Sequence, residues 1–294
     1  ALDEFEARGH INVPHFYARR ALRLIPALLF FLLIQVAFAT FSGQLAQVMP
    51  SVWATLFYYL NWKVYFSLDV APQFGHLWSL SVEEQYYMVW PVCLLLLLRW
   101  RITIPVLLLT VLAVAIHRNR LWNETGNWLL LYLRTDMRLD TLLLGALCAF
   151  LWQLKPLAKW FIGGFAGSVL LFLLIAMSLL MDETQGAYYT WGASTVALLG
   201  CGLVFNCNPA TGNTRGGVLN QAWLEYLGRR SYGLYLWHFP ACLWSDNLRP
   251  GLATGLVIAI AIALSFVLTE FSWRLVDRAF NRRRHRFSYR SNQA

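Results

Sequence analysis

Charge is what this sequence has least of: 13% of its 294 residues are Asp, Glu, Lys or Arg, about half the share in an ordinary soluble domain. Together with 58% hydrophobic residues, that scarcity excludes a water-soluble globule and points to an integral membrane protein. Cysteine patterning is absent too. The five cysteines, Cys93, Cys148, Cys201, Cys207 and Cys242, lie in or beside apolar runs with no CxxC or His-Cys metal spacing. They read as small core residues. No P-loop, GxSxG elbow, HExxH or Rossmann glycine signature occurs, so nothing argues for hydrolysis of a nucleotide. There is no internal repeat and no low-complexity run.

What is present is apolar length and aromatic edging. Apolar runs suited to crossing a bilayer cover approximately 23–41, 78–98, 102–117, 138–154, 161–181, 188–206, 231–248 and 252–272. Aromatic residues make up 16% of the chain, including 14 Trp, and such rings collect at the two headgroup layers. A ninth stretch, 51–66, is short and aromatic, with Trp53, Phe57, Tyr58, Tyr59, Trp62, Tyr65 and Phe66. Charge decides its role. If 51–66 does not cross, only Lys63, Arg118, Arg120, Arg134, Arg138 and Arg249 of the 24 basic residues fall on the outer face, as the positive-inside rule requires. The expected fold is therefore all-α, a polytopic transmembrane bundle of about eight crossings plus one re-entrant or interfacial segment. Both ends are placed in the cytoplasm. The net charge of +9 is then a topology signal with some attraction to anionic membrane lipids, and implies no nucleic acid.

The stretch His76-Leu77-Trp78-Ser79-Leu80-Ser81-Val82-Glu83-Glu84-Gln85 puts two acids at the head of a membrane-length segment. A carboxylate at the bilayer centre costs about 2.5–3.5 kcal/mol even on lenient scales, so it needs a partner or a task. At 100° per residue His76, Ser79, Glu83, Tyr87 and Trp90 share one side. Glu83 is expected to face the interior, with Glu84 nearer the interface or in a salt bridge; simple anchoring of the helix end is the bland alternative.

Three other stretches carry candidates. In Phe16-Tyr17-Ala18-Arg19-Arg20-Ala21-Leu22-Arg23, the residues Arg19, Arg20 and Arg23 are spaced to converge on one anion, and guanidinium forks suit phosphate; ordinary positive-inside anchoring, which accounts for most such arginines, is the alternative. Around Arg134-Thr135-Asp136-Met137-Arg138-Leu139-Asp140, spacings of four allow intrahelical ion pairs or a polar lining that uses Arg138 and Asp140. In Ser231-Tyr232-Gly233-Leu234-Tyr235-Leu236-Trp237-His238, Tyr235 and His238 share a face. His238 lies roughly 10 Å into its span, in reach of a proton-handling or supporting role. No metal site is expected. From Asn206 to Arg230 the sequence suggests a loop and a short interfacial helix ending at Gly228, and the tail from Asn281 is expected to be disordered.

HLWSLSVEEQYYMVWP resembles the hallmark segment of the acyltransferase 3 family of integral membrane acyltransferases. FYARRALRLIP, TDMRLDTLLLGAL, LGRRSYGLYLWHFP and LTEFSWRLVDRAF are similar to further family segments in the same order, although Asp277 and Ala279 stand where Glu and Pro are usual. The resemblance runs from about Phe16 to Phe280. It implies O-acyl transfer from acyl-CoA, most often acetyl-CoA, to a hydroxyl of a saccharide or lipid-linked glycan, with the donor a substrate and no bound cofactor. It also implies two further N-terminal helices, one carrying a catalytic histidine, so that this chain is expected to be truncated and possible inactivity follows.

On that reading, 1–22 is a cytoplasmic leading segment, 23–274 the transmembrane acyltransferase domain and 275–294 a basic cytoplasmic tail, all in a bacterial inner membrane. Glu83, His76 and His238 take the catalytic roles, Arg19, Arg20 and Arg23 the coenzyme A phosphates, and Asp140, Arg138 and Tyr235 the acceptor. A secondary transporter or proton-coupled channel would also bury acids and histidines, but it predicts an internal symmetry the sequence lacks. A non-catalytic scaffold is the third reading.

Overall fold

The computed structural model describes residues 4–5, 9–67, 69–153, 164–207, 221–284 and 287. Among them every regular element is helical. The chain separates into two compact units, one of residues 1–95 and 227–294, the other of residues 96–226.

The first unit is built on α1, Val13–Phe41, which starts earlier than its apolar run. Asn12 accepts a hydrogen bond from the backbone N–H of His15 at 2.9 Å and Pro14 sits in the first turn, a cap that satisfies an orphan donor and pre-sets φ. The arginines of the first turns are thereby carried on a rigid helix instead of a loop. Helix α1 ends at Ser42 and Gly43, where φ is +70°. The aromatic stretch is two helices, α2 (Leu45–Leu56) and α3 (Leu60–Ser67), broken at Tyr58 with φ +56°. At about 1.5 Å per residue neither is long enough to span a bilayer. The break is held from outside: Gln85 Nε2 donates to the Tyr58 carbonyl at 2.7 Å and to Asn61 Oδ1 at 3.0 Å. A 3-10 turn, Pro72–Leu77, leads into α4, Trp78–Trp100. Phe31, Phe74, Leu77, Leu236 and Trp237 close the core beneath these elements, each essentially without exposure.

The second unit holds α5 (Thr103–Thr125), α6 (Trp128–Leu133), α7 (Leu139–Gln153), α8 (Gly164–Leu180) and α9 (Ala193–Asn206). Gly126, φ +57°, terminates α5, and its N–H bonds to the Trp122 carbonyl at 2.8 Å. Helix α8 packs on α9, and α7 lies against both α5 and α9. A Cβ on Gly186 would come within 2.5 Å of Trp122 Nε1, in an indole that stacks on Tyr189 with planes 13° apart. Gly186→Ala is therefore expected to lower stability by about 1–3 kcal/mol, read as an earlier melting transition of the protein in nanodiscs; an unchanged transition would mean that the indole yields.

The last elements are α10 (Ala222–Asp246), α11 (Thr254–Ser272) and, after a π-helical turn, α12 (Arg278–Arg284). Two expectations are corrected here. No short helix ends at Gly228: that residue lies inside α10, because the Leu, Arg and Tyr residues on either side sustain the helix through it. The chain also remains helical to Arg284, so disorder does not begin at Asn281. Residues 208–220 of the expected loop, and 285–286 and 288–294 of the tail, lie outside the described residues.

Each of the eight predicted spans overlaps a helix among the described residues, while residues 154 and 161–163 of two of them lie outside those described. Four helical stretches, Val13–Phe41, Thr103–Thr125, Tyr188–Asn206 and Thr254–Arg283, are long and apolar enough to cross a membrane. Leu108, Leu109, Leu112 and Ile116 of α5 and Ile258, Ile262 and Val267 of α11 are exposed in the isolated chain. Apolar faces this extensive are foreign to soluble monomers and suit acyl chains. The protein is an integral membrane protein.

Candidate active site

A cavity of about 440 Å³ opens in the first unit between α1, α4 and α10, within the size range of small-molecule sites. Arg20, Arg23 and Leu24 come from α1, Ser79, Leu80, Glu83, Glu84 and Tyr87 from α4, and Ser231, Tyr232 and Tyr235 from α10. Residues four apart on α4 and on α1 present themselves on one face, which is why Ser79, Glu83 and Tyr87 arrive together.

Glu83 lines the cavity, and Glu84 takes the salt bridge that the sequence offered as one of its two places, but away from any exposed interface. Glu84 is the buried one, at 7% exposure, and pairs with Arg20 through a two-pronged contact: Arg20 Nε donates to Oε2 at 3.0 Å and Arg20 Nη2 donates to Oε1. The Arg20 guanidinium also lies 3.3 Å from the centre of the Tyr87 ring. Arg20 and Glu84 thus neutralise one another. Glu83 is exposed to the cavity and makes no hydrogen bond or ion pair with any other described residue, although the Arg20 and Arg23 charges lie near enough to act on it. Arg23 is equally exposed and unpaired among the described residues.

The three arginines do not converge. Arg19 donates to the Phe287 carbonyl at 2.5 Å, so its side chain is directed to the C-terminal segment while Arg20 and Arg23 reach the cavity. Successive helical residues diverge by 100°, and the fan follows.

His76 and His238 stand close together, ring centres 5.1 Å apart, with Phe239 stacked on His76. Neither lines the cavity. His238 Nδ1 donates to the Tyr235 carbonyl at 2.8 Å, and both nitrogens of His76 are buried without a partner among the described residues. Tyr235 links this pair to the cavity. Its hydroxyl bonds to the His76 carbonyl and to Ser79 Oγ.

Asp140 and Arg138 belong to the second unit. Asp140 is fully buried and engaged: Arg118 Nη1 donates to its Oδ2 at 2.7 Å and Ser194 Oγ at 2.9 Å. Arg118, at 2% exposure, also donates to the Tyr189 and Met137 carbonyls and to Ser194. The intrahelical pairing expected for Asp140 is therefore corrected: its counter-ion comes from α5. Arg138 instead donates to the Tyr188 hydroxyl at 2.7 Å and the Tyr132 carbonyl at 3.2 Å. Arg134 and Asp136 do pair locally, at 3.0 and 2.6 Å. Burial alone would raise the Asp136 carboxyl, but the Arg134 hydrogen bonds and charge outweigh it and hold the group below the usual carboxylate range.

Sequence reasoning passed over Arg118 and Ser194, which carry no motif, and underrated Ser79 and Tyr232. The helical face shared by Ser79 and Glu83 was the available signal. Among the described residues no group of three His, Cys, Asp or Glu side chains is placed to hold a metal.

A family model described as an acyltransferase domain matches residues 5–270. The peptidoglycan O-acetyltransferase OatA of Listeria monocytogenes is 28% identical over 298 residues, covering 94% of this chain and 47% of that protein. O-acetyltransferase OatA of Staphylococcus aureus is 29% identical over 309 residues, covering 94% and 49%. A further S. aureus protein, whose designation as an O-acetyltransferase is itself provisional, is 30% identical over 304 residues, 96% of this chain and 50% of that protein. The chain spans about half the length of these relatives. No solved structure matches it.

Proposed function

This chain belongs to the acyltransferase 3 family, and from that premise we propose that it transfers an acyl group, in the first instance acetyl, from acyl-CoA to a hydroxyl of a glycan such as peptidoglycan. One observation carries the reading: in a single cavity a carboxylate, Glu83, and a guanidinium, Arg23, both unpaired among the described residues, stand exposed beside a neutralised pair, Arg20 and Glu84. Acyl transfer to an alcohol needs both signs of charge, a base for the hydroxyl proton and a cation for the anionic donor or the developing oxyanion.

Glu83 accepts the proton of the acceptor hydroxyl as its oxygen attacks the thioester carbonyl. The C–S bond breaks, and the coenzyme A thiolate departs and takes up a proton. Arg23 attracts the donor phosphates, with Arg20 contributing charge reduced by its pairing to Glu84. Arg19 is left out of this set. His76 and His238 support the site through Tyr235, and Arg138 and Asp140 serve the acceptor through the architecture of the second unit. Eight crossings, a bacterial inner membrane and cytoplasmic ends complete the proposal, with 23–274 as the transmembrane domain between a leading segment and a basic tail.

The test is a proteoliposome assay with radiolabelled acetyl-CoA and soluble peptidoglycan fragments. Alkali-labile label on the glycan is the expected result. Movement of unmodified substrate across the bilayer without label transfer would replace the enzyme by a transporter.

A further inference from the structure

Tyr235 decides how Ser79 faces the cavity. A phenol has one proton to give, and the Tyr235 hydroxyl lies within hydrogen-bonding distance of both the His76 carbonyl oxygen and Ser79 Oγ. A carbonyl oxygen only accepts. The Tyr235 proton is therefore committed to His76, and Ser79, at 2.6 Å, must donate its own proton to Tyr235. No other hydrogen bond of Ser79 is present among the described residues, so only its lone pairs remain for the cavity it lines. A free serine hydroxyl rotates to serve as donor or acceptor; this one is held in the accepting sense.

Ser79 stands one helical turn before Glu83 on α4, about 6 Å along the axis. Between Ser79 and Glu83 the helix therefore offers two acceptors and no donor, the Tyr87 hydroxyl belonging to the next turn along. A ketone, ester or phosphate oxygen placed there meets lone pairs alone and is rejected, because an unpaired polar contact in a site costs more than a made one returns. A molecule with two neighbouring donors fits it: the reacting hydroxyl on Glu83, and a second hydroxyl or an amide N–H on Ser79. Polyhydroxylated or acylamino sugars have that pattern.

We propose that Ser79 Oγ is a specificity-determining acceptor for a second donor of the glycan, and that Tyr235 is the positioning residue that holds it so. This rests on reading the cavity as the transfer site.

The probe is the disaccharide of N-acetylglucosamine and N-acetylmuramic acid, with its binding and its acetylation from acetyl-CoA measured on the protein in nanodiscs. Ser79→Ala is expected to weaken disaccharide binding about tenfold, the worth of one good hydrogen bond, and to leave the KM for acetyl-CoA unchanged. Ser79→Thr restores most of the loss. Tyr235→Phe lets the serine hydroxyl rotate and is expected to cost about threefold, with the double variant Ser79→Ala/Tyr235→Phe no worse than Ser79→Ala alone. Should Ser79→Ala fail to assemble, Tyr235→Phe and Ser79→Thr carry the same test. Unchanged binding by Ser79→Ala, or equal damage to both substrates that Ser79→Thr does not relieve, overturns the assignment while leaving the transfer reading intact. Binding that depends on Ser79 without any acetylation overturns the transfer reading and keeps Ser79 as a binding residue. A wild-type protein that neither binds nor acetylates the disaccharide overturns both.

Discussion

Glu83→Gln is expected to slow acetyl transfer by about 100- to 10,000-fold, the usual contribution of a positioned general base, in a protein that remains folded. The amide keeps the size and shape of the side chain but has little basicity. Glu83 is exposed to the cavity and spends no hydrogen bond on another described residue, so its replacement removes nothing from the packing, and the melting transition should move by no more than a surface substitution moves it, within about 0.5 kcal/mol. Glu84→Gln is the contrasting case. It breaks the pair with Arg20, and leaves a half-buried guanidinium whose Tyr87 contact is its remaining stabilisation, so stability falls along with rate. Arg23→Ala should raise the KM for acetyl-CoA more than it lowers kcat, since the cation acts on the donor before and during reaction alike. Labelled transfer kinetics in proteoliposomes check all three, and Glu83→Gln retaining full activity would remove the carboxylate from the mechanism.

The largest expected loss of stability lies in the second unit. Arg118→Met leaves the Asp140 carboxylate, with no exposure at all, without its cation. Breaking a buried pair from one side costs about 3–5 kcal/mol, because the remaining charge is stranded. Here the loss extends further. Arg118 ties together the carbonyls of Met137 and Tyr189, the Ser194 hydroxyl and Asp140, so α5, α7, α9 and the turn before α9 loosen together. Asp140→Leu should be comparably damaging by stranding Arg118. The double variant Arg118→Met/Asp140→Leu removes both charges and is expected to recover much of the stability. Thermal unfolding in nanodiscs and the yield of membrane-inserted protein report the effect. Single variants as stable as the wild type would show that water or lipid reaches this node.

These two experiments probe acids that the sequence presents alike, as carboxylates near the ends of apolar runs. Periodicity places Glu83 with Ser79 and Tyr87, and it does so correctly, because a helix obeys the same 100° step whether or not it is packed. Periodicity cannot assign the free charge. Glu84 is the buried acid because Arg20 reaches it from 64 residues away, and Asp140 is engaged because Arg118 and Ser194 arrive from positions 22 and 54 residues distant. The arginines of α1 show the same division: their cluster is plain in the sequence, yet Arg19 turns to Phe287 while Arg23 remains open to the cavity.

Composition and spacing by themselves determined that this chain is a helical membrane protein with a short aromatic stretch and a helix headed by acids, because in lipid the backbone must satisfy its own hydrogen bonds and apolar length is counted residue by residue. Only the tertiary structure decided which carboxylate stays unpaired among the described residues, which arginine stays open to the cavity and which way the Ser79 hydroxyl points. Those outcomes depend on counter-ions and hydrogen-bond partners supplied by other helices, and no local pattern encodes where such partners land.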